Sequence, residues 1–132
     1  MRLFFLCVLG VLCGEISPAE NKTVLVVTAH AEDYLIGAGG TLAKLIGEGY
    51  TAHVVQVTND EKNSEGLEPA ETRKANVEEG DRAAKLLGVK EIVRLGHKSG
   101  ELGYISSTEL REEMFAMIRY FKPRIIIIPD PY

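Results

Sequence analysis

The stretch TVLVVTAHAEDYLIGAGGTLAKLIGEGYTAHVVQVT, residues 23–58, decides the fold. It opens on an uninterrupted β-branched and aliphatic run from Thr23 to Ala29, which reads as a strand buried on both faces. From Leu35 to Glu48 the pattern changes. Leu35, Ala38, Leu42, Leu45 and Ile46 recur at three- and four-residue steps and mark one helix face, which Gly49 ends. Thr51 to Thr58 is a second apolar strand. Strand, helix and strand in this order form a parallel βαβ unit with a right-handed crossover.

The unit repeats downstream. Asn59 to Pro69 is polar and aperiodic, a loop. Ala70 to Leu87 carries Val77, Gly80, Ala84 and Leu87 on one helical face, and Gly88 closes it. Lys90 to Leu95 is a short third strand, and Gly96 to Ile105 a glycine-bearing loop. Ser106 and Glu109 have capping-box spacing. Leu110, Met114, Met117, Ile118 and Phe121 form an apolar stripe that Pro123 stops, and Arg124 to Ile128 is a fourth strand. The expected fold is α/β: a Rossmann-like three-layer sandwich, βαβαβαβ, with a mostly parallel sheet and helices on both faces. Such sheets usually have more strands, so the chain reads as the front part of a larger domain, stopping after strand four.

The 132-residue length allows one domain. A net charge of -4 with no clustered Lys or Arg argues against nucleic acid as a partner. Residues 1–19 have the layout of a secretory signal peptide: Arg2, an apolar run from Leu3 to Cys13, then Ser17 and Ala19 at small-residue cleavage positions. The run is too short for a permanent membrane span. The expected mature chain, residues 20–132, is therefore exported to a periplasmic or extracellular location. Both cysteines, Cys7 and Cys13, fall inside the leader, so disulfides and thiolate metal ligation are excluded after cleavage. Any metal ligands must be His, Asp or Glu. Oligomeric state is not legible.

In a doubly wound sheet of strand order 3-2-1-4, ligands bind beyond the carboxyl ends of the strands, between the first and the fourth. His30, Glu32 and Asp33 leave the first strand, Asp60 and Glu61 the second, His97 and Ser99 the third, and Asp130 and Tyr132 the fourth. A dinucleotide fingerprint would need its glycines directly after strand one. Here they begin only at Gly37, and Glu32 and Asp33 would repel a pyrophosphate. The glycines read instead as a means of packing helix one close to the sheet. His30 and Asp33 suit a catalytic metal with N and O ligands, and Glu32 a general base. The same two carboxylates also suit a helix N-terminus without any metal.

The stretch resembles the N-terminal motif of the PIG-L/LmbE-like zinc-dependent de-N-acetylases, A-H-P-D-D-E followed by x-x-G-x-G-G-T-[LI]-A. Here it stands as Ala29-His30-Ala31-Glu32-Asp33-Tyr34, then Leu35-Ile36-Gly37-Ala38-Gly39-Gly40-Thr41-Leu42-Ala43. Looser matches follow in order: VVQVTNDE, RAAKLLGV, RLGHKSGELG and KPRIIIIPDP. The resemblance implies a hydrolase that uses Zn2+ to remove an N-acetyl or related N-acyl group from an amino sugar or its conjugate. It implies His30 and Asp33 as metal ligands, Glu32 as catalytic base, and Glu61, Arg73 and Asp130 on the substrate side.

Departures from the motif are Ala31 for proline, Glu32 for aspartate, Tyr34 for glutamate, and Ser99 for an aspartate before Gly100. The family's third ligand, a histidine in H-x-D-H after P-D-P, has no counterpart before Tyr132. His97, two strands away, and His53, inside a strand, are poor substitutes. Taken alone, the 132 residues are expected to bind zinc weakly and turn over little. The alternative is a non-catalytic or truncated member lacking a complete metal site, such as a sugar-binding domain.

Overall fold

The computed structural model describes residues 21–62 and 65–129. The expected leader, with its expected cleavage site, and Asp130 lie outside the described residues. Four parallel strands, β1 (Thr23–Thr28), β2 (Thr51–Thr58), β3 (Glu91–His97) and β4 (Ile125–Ile127), form one sheet in the order β3-β2-β1-β4. Helices α1 (Asp33–Gly47), α2 (Pro69–Leu87) and α3 (Ser107–Phe121) are the crossovers. The expected fold class and strand order are both found. Among the described residues, no helix is long and apolar enough to cross a membrane.

The core lies where α1 and α2 cover one face of the sheet. Val24 and Val26 of β1 and Ala52 and Val54 of β2 meet Tyr34 and Leu42 of α1, with Ala84 of α2 and Val89 just beyond it. Leu42 is fully buried, and such a side chain contributes about 1.5–3 kcal/mol through area removed from water. Strand alternation sends Leu25, His53 and Val55 to the opposite face. There α3 approaches, with the Phe121 ring 4.3 Å from that of His53. The α3 stripe is only half-buried, because that helix lies alone on its face among the described residues.

Helix ends follow the expected chemistry. Gly49 and Gly88 take φ of +87° and +89°, the left-handed conformation that stops α1 and α2. Four local expectations are corrected. Helix α1 starts at Asp33, two residues early, so that Tyr34 enters the core at 2% exposure. Gly37, Gly39 and Gly40 do not serve close packing. A Cβ at any of them would meet nothing within 4 Å, because the α1 contacts to the sheet come from Tyr34, Ala38 and Leu42. His97 is in β3, not in the loop after it, carried there by a register shift that sets it opposite Thr58. Finally, Ser106 caps α3 through the Thr108 amide at 3.2 Å, and no return bond from Glu109 forms. The reciprocal pair sits on α2 instead, between Glu68 and Glu71.

His53 makes one testable statement about the core. It is 7% exposed, with Nδ1 2.9 Å from Glu91 Oε1. Burial holds its pKa below the ordinary value, and Glu91 only partly offsets this. Below about pH 6.5 the unfolded chain therefore binds more protons than the folded one, and stability falls as pH drops. His53→Phe keeps an aromatic surface against Phe121 and is expected to flatten the decline. The check is a comparison of Tm for both proteins between about pH 7.5 and 5.

Candidate metal centre

The turn between β1 and α1 is built by carboxylates. Asp33, the first residue of α1, turns its side chain back, and Oδ2 accepts from the amides of Ala29 at 3.1 Å and His30 at 2.9 Å. This ties the strand end to the helix start and places His30 Nδ1 3.6 Å from the same oxygen. Glu32 occupies the N-cap position, yet its side chain makes no capping bond. It is exposed and free of structural duty. The capping explanation holds for neither carboxylate: Glu32 makes no capping bond, and Asp33 bonds amides that lie before α1 rather than in its first turn.

Each of His30, Glu32 and Asp33 offers one ligand atom within 4.8 Å of the others. The donor set fits zinc. Two bonds of ~2.0–2.1 Å at the tetrahedral angle set donor atoms about 3.4 Å apart, near the observed 3.6 Å between His30 and Asp33. His30 and Asp33 are about two-thirds buried, which limits competing water while leaving room for exchange.

Three clefts surround the turn. One, of about 410 Å³, runs from Glu32 to Asp60, Lys62, Asn76 and Glu79. A second, of about 470 Å³, lies between His30, Thr58, Lys62 and the Ser99–Gly103 loop. The third, also about 470 Å³, is mostly apolar and extends from His30 and Asp33 to Ile127 and Ile128 of the β4 end. Lys62 borders the first two.

The other residues singled out from the sequence are placed as follows. Glu61 leaves β2 beside the turn but points at Asn59, whose Nδ2 donates to Glu61 Oε2 at 2.8 Å. Asn59 Oδ1 accepts from the Ser99 amide at 3.3 Å, joining the second and third loops. Arg73 is exposed on α2 and borders none of the three clefts. Asn76, close to one turn on, borders the first cleft together with Glu79, Gly80 and Ala83 of the same helix, and its Nδ2 donates to the Asp60 carbonyl at 3.0 Å. His97 is turned away, with Nε2 2.7 Å from Glu113 of α3.

Asp60 has a part the sequence reading did not assign. It is 3% exposed, and its Oδ2 accepts from the Ala31 amide at 2.7 Å and from Gln56 Nε2 at 3.2 Å. Burial pushes its carboxyl above the usual range. The Ala31 amide and His30 pull it back, while Glu32 and Asp33 push it further up. Ala31, which stands where the resembling motif has proline, supplies an N–H that proline lacks.

The family model for PIG-L, described as GlcNAc-PI de-N-acetylase, matches residues 25–132. The chain belongs to the PIG-L family. It is 34% identical over 115 residues to the diacetylchitobiose deacetylase of Thermococcus kodakarensis, a match covering 86% of this chain and 42% of that protein. The solved N,N'-diacetylchitobiose deacetylase of Pyrococcus horikoshii, bound to its inhibitor MPG, superposes with a TM-score of 0.77 at 33% identity. Coverage is again 86% of this chain and 42% of the other. The chain thus spans less than half the length of these relatives. GalB of Pseudomonas putida, a 4-carboxy-2-hydroxymuconate hydratase, also shares the fold, with a TM-score of 0.69 and 26% identity over 84% of this chain and 49% of its own. The fold therefore hosts more than one reaction, and activity must be argued from the site.

Proposed function

We propose that this chain carries the metal-binding part of a zinc-dependent de-N-acetylase acting on an N-acetylated amino sugar or its conjugate. The observation that carries this reading is the convergence of His30, Glu32 and Asp33 within 4.8 Å at the carboxyl end of β1. The likeness to two diacetylchitobiose deacetylases, at 33–34% identity, supports the substrate class.

His30 and Asp33 hold the ion, Asp33 already fixed by two backbone amides. When bound, zinc supplies a Lewis acid for the amide carbonyl and lowers the pKa of water. Glu32 takes the proton from the attacking water and returns it to the departing nitrogen. The new C–O bond forms first, and the C–N bond breaks once the nitrogen has received the proton, giving acetate and a free amine. The polar cleft from Glu32 to Asn76 offers space beside the base. Glu61, Arg73 and Asp130 belong to the substrate side on the motif resemblance. The leader over residues 1–19 directs the chain out of the cytoplasm.

The test is zinc content and affinity of the purified protein with and without His30→Ala, together with acetate release from N,N'-diacetylchitobiose. Removal of the imidazole is expected to abolish the zinc binding of the unmodified chain, itself expected to be weak. Equal, near-zero zinc in both proteins would sink the metal site.

A further inference from the structure

Asp60 is a carboxylate held out of water in a conformation that side chains rarely adopt. It is 3% exposed and has φ of +54°. Aspartate and asparagine tolerate this left-handed region better than other non-glycine residues. Burying a carboxylate is costly unless strong hydrogen bonds are returned. Here the bonds go mainly to one place. Ala31 N–H donates to Asp60 Oδ2 at 2.7 Å, across 29 positions of sequence.

That amide lies between His30 and Glu32. The two preceding amides, of Ala29 and His30, donate to Asp33. Three consecutive backbone N–H groups of the turn therefore end on carboxylate oxygens. The Ala29 carbonyl in turn accepts from the Thr58 amide at 3.0 Å and from Thr58 Oγ1 at 2.7 Å. Asp33 fixes the turn to itself; Asp60 and Thr58 fix it to β2. Asp60 is anchored by Gln56 on its side chain and by Asn76 on its carbonyl.

We propose that Asp60 is a positioning residue: through the Ala31 amide it sets the backbone from which His30, Glu32 and Asp33 converge. The role rests on the zinc reading above, and groups that orient metal ligands without touching the ion typically matter about 10- to 100-fold in metal affinity.

The experiment uses the full chain with three variants. Asp60→Gly keeps the positive φ and deletes the carboxylate. Asp60→Asn keeps both the conformation and an acceptor oxygen. Ala31→Pro deletes the donor. Zinc affinity is measured by titration with zinc chloride, and protection of the Ala31 amide by hydrogen exchange in metal-free protein. Asp60→Gly is expected to lose about 10-fold or more in zinc affinity and to expose the Ala31 amide, and Asp60→Asn to restore most of both. Asp60→Gly added to Ala31→Pro is expected to cost nothing further. Unchanged zinc affinity in Asp60→Gly, or losses that multiply in the double variant, would overturn the proposal. If Asp60→Gly fails to fold, Ala31→Pro, which deletes the donor and leaves the carboxylate, carries the test: a zinc affinity equal to that of the unmodified protein would overturn the proposal. Absence of zinc binding in the unmodified protein would refute the zinc reading instead. The Ala31 exchange then decides alone: equal rates in unmodified protein and Asp60→Gly would end the positioning role.

Discussion

Glu32→Gln is expected to lower the proposed amide hydrolysis, weak in these 132 residues alone, by about 10²–10⁴-fold, the range for removing a positioned general base, with little change in Tm or zinc affinity. The separation of these effects follows from the local structure. Glu32 sits at the N-cap of α1 but makes no capping bond, and it is exposed. Neutralising it therefore removes no hydrogen bond and leaves no buried partner unsatisfied. A slight loss of helix-dipole stabilisation, about 0.3–1 kcal/mol, is the largest structural cost. Glutamine preserves the shape and removes the basicity. Glu32→Asp keeps the carboxylate, shortens the arm by one methylene and is expected to retain far more activity than glutamine. Acetate release from N,N'-diacetylchitobiose, with zinc content measured on the same samples, checks the pattern. Turnover of the glutamine variant at the unmodified rate would remove Glu32 from the chemistry.

Much of the fold was legible because burial on both faces leaves a strong one-dimensional trace. TVLVVT and TAHVVQVT have few polar interruptions, and their partners in the structure are the fully buried Val24, Leu25, Val54 and Val55. The helical steps at Ala38 and Leu42 marked the face that reaches the core. The convergence of His30, Glu32 and Asp33 was legible too, since all three residues sit on one turn. What escaped depends on contacts distant in sequence. Asp60 lies inside the polar run NDEKNSEG and reads there as loop, placed at the sheet edge beside Glu61 but given no role. Its bond to Ala31 spans 29 positions and has no period. The available signal was its residue type and place: an aspartate just past a strand end, where a positive φ redirects the chain. The glycines misled for a related reason. Small side chains in a helix suggest close packing, but Gly37 and Gly40 face outward among the described residues. His97 was read as loop because Gly96 precedes it, whereas the strand passes through that glycine at φ +82° and continues.

Asp33 should show the opposite behaviour to Glu32, because one side chain does two jobs. Its Oδ2 accepts two backbone amides, and its negative charge lies in the first turn of α1, near the positive end of the helix. Asp33→Ala is expected to abolish zinc binding and to destabilise the fold by about 2–3 kcal/mol. That figure takes the lower end for hydrogen bonds to a charged acceptor, since the side chain is 38% exposed. Asp33→Asn divides the two jobs. Its amide oxygen still accepts from Ala29 and His30, so most of the stability should remain, while loss of the charged oxygen donor should still weaken zinc binding strongly. Urea unfolding of the metal-free proteins reads the first quantity, and zinc titration the second. A Glu32→Gln protein that keeps its zinc, beside an Asp33→Asn protein that folds but loses it, would separate base from ligand. Full zinc binding by Asp33→Asn would show that Asp33 serves the turn alone, leaving His30 and Glu32 as the only donors on it.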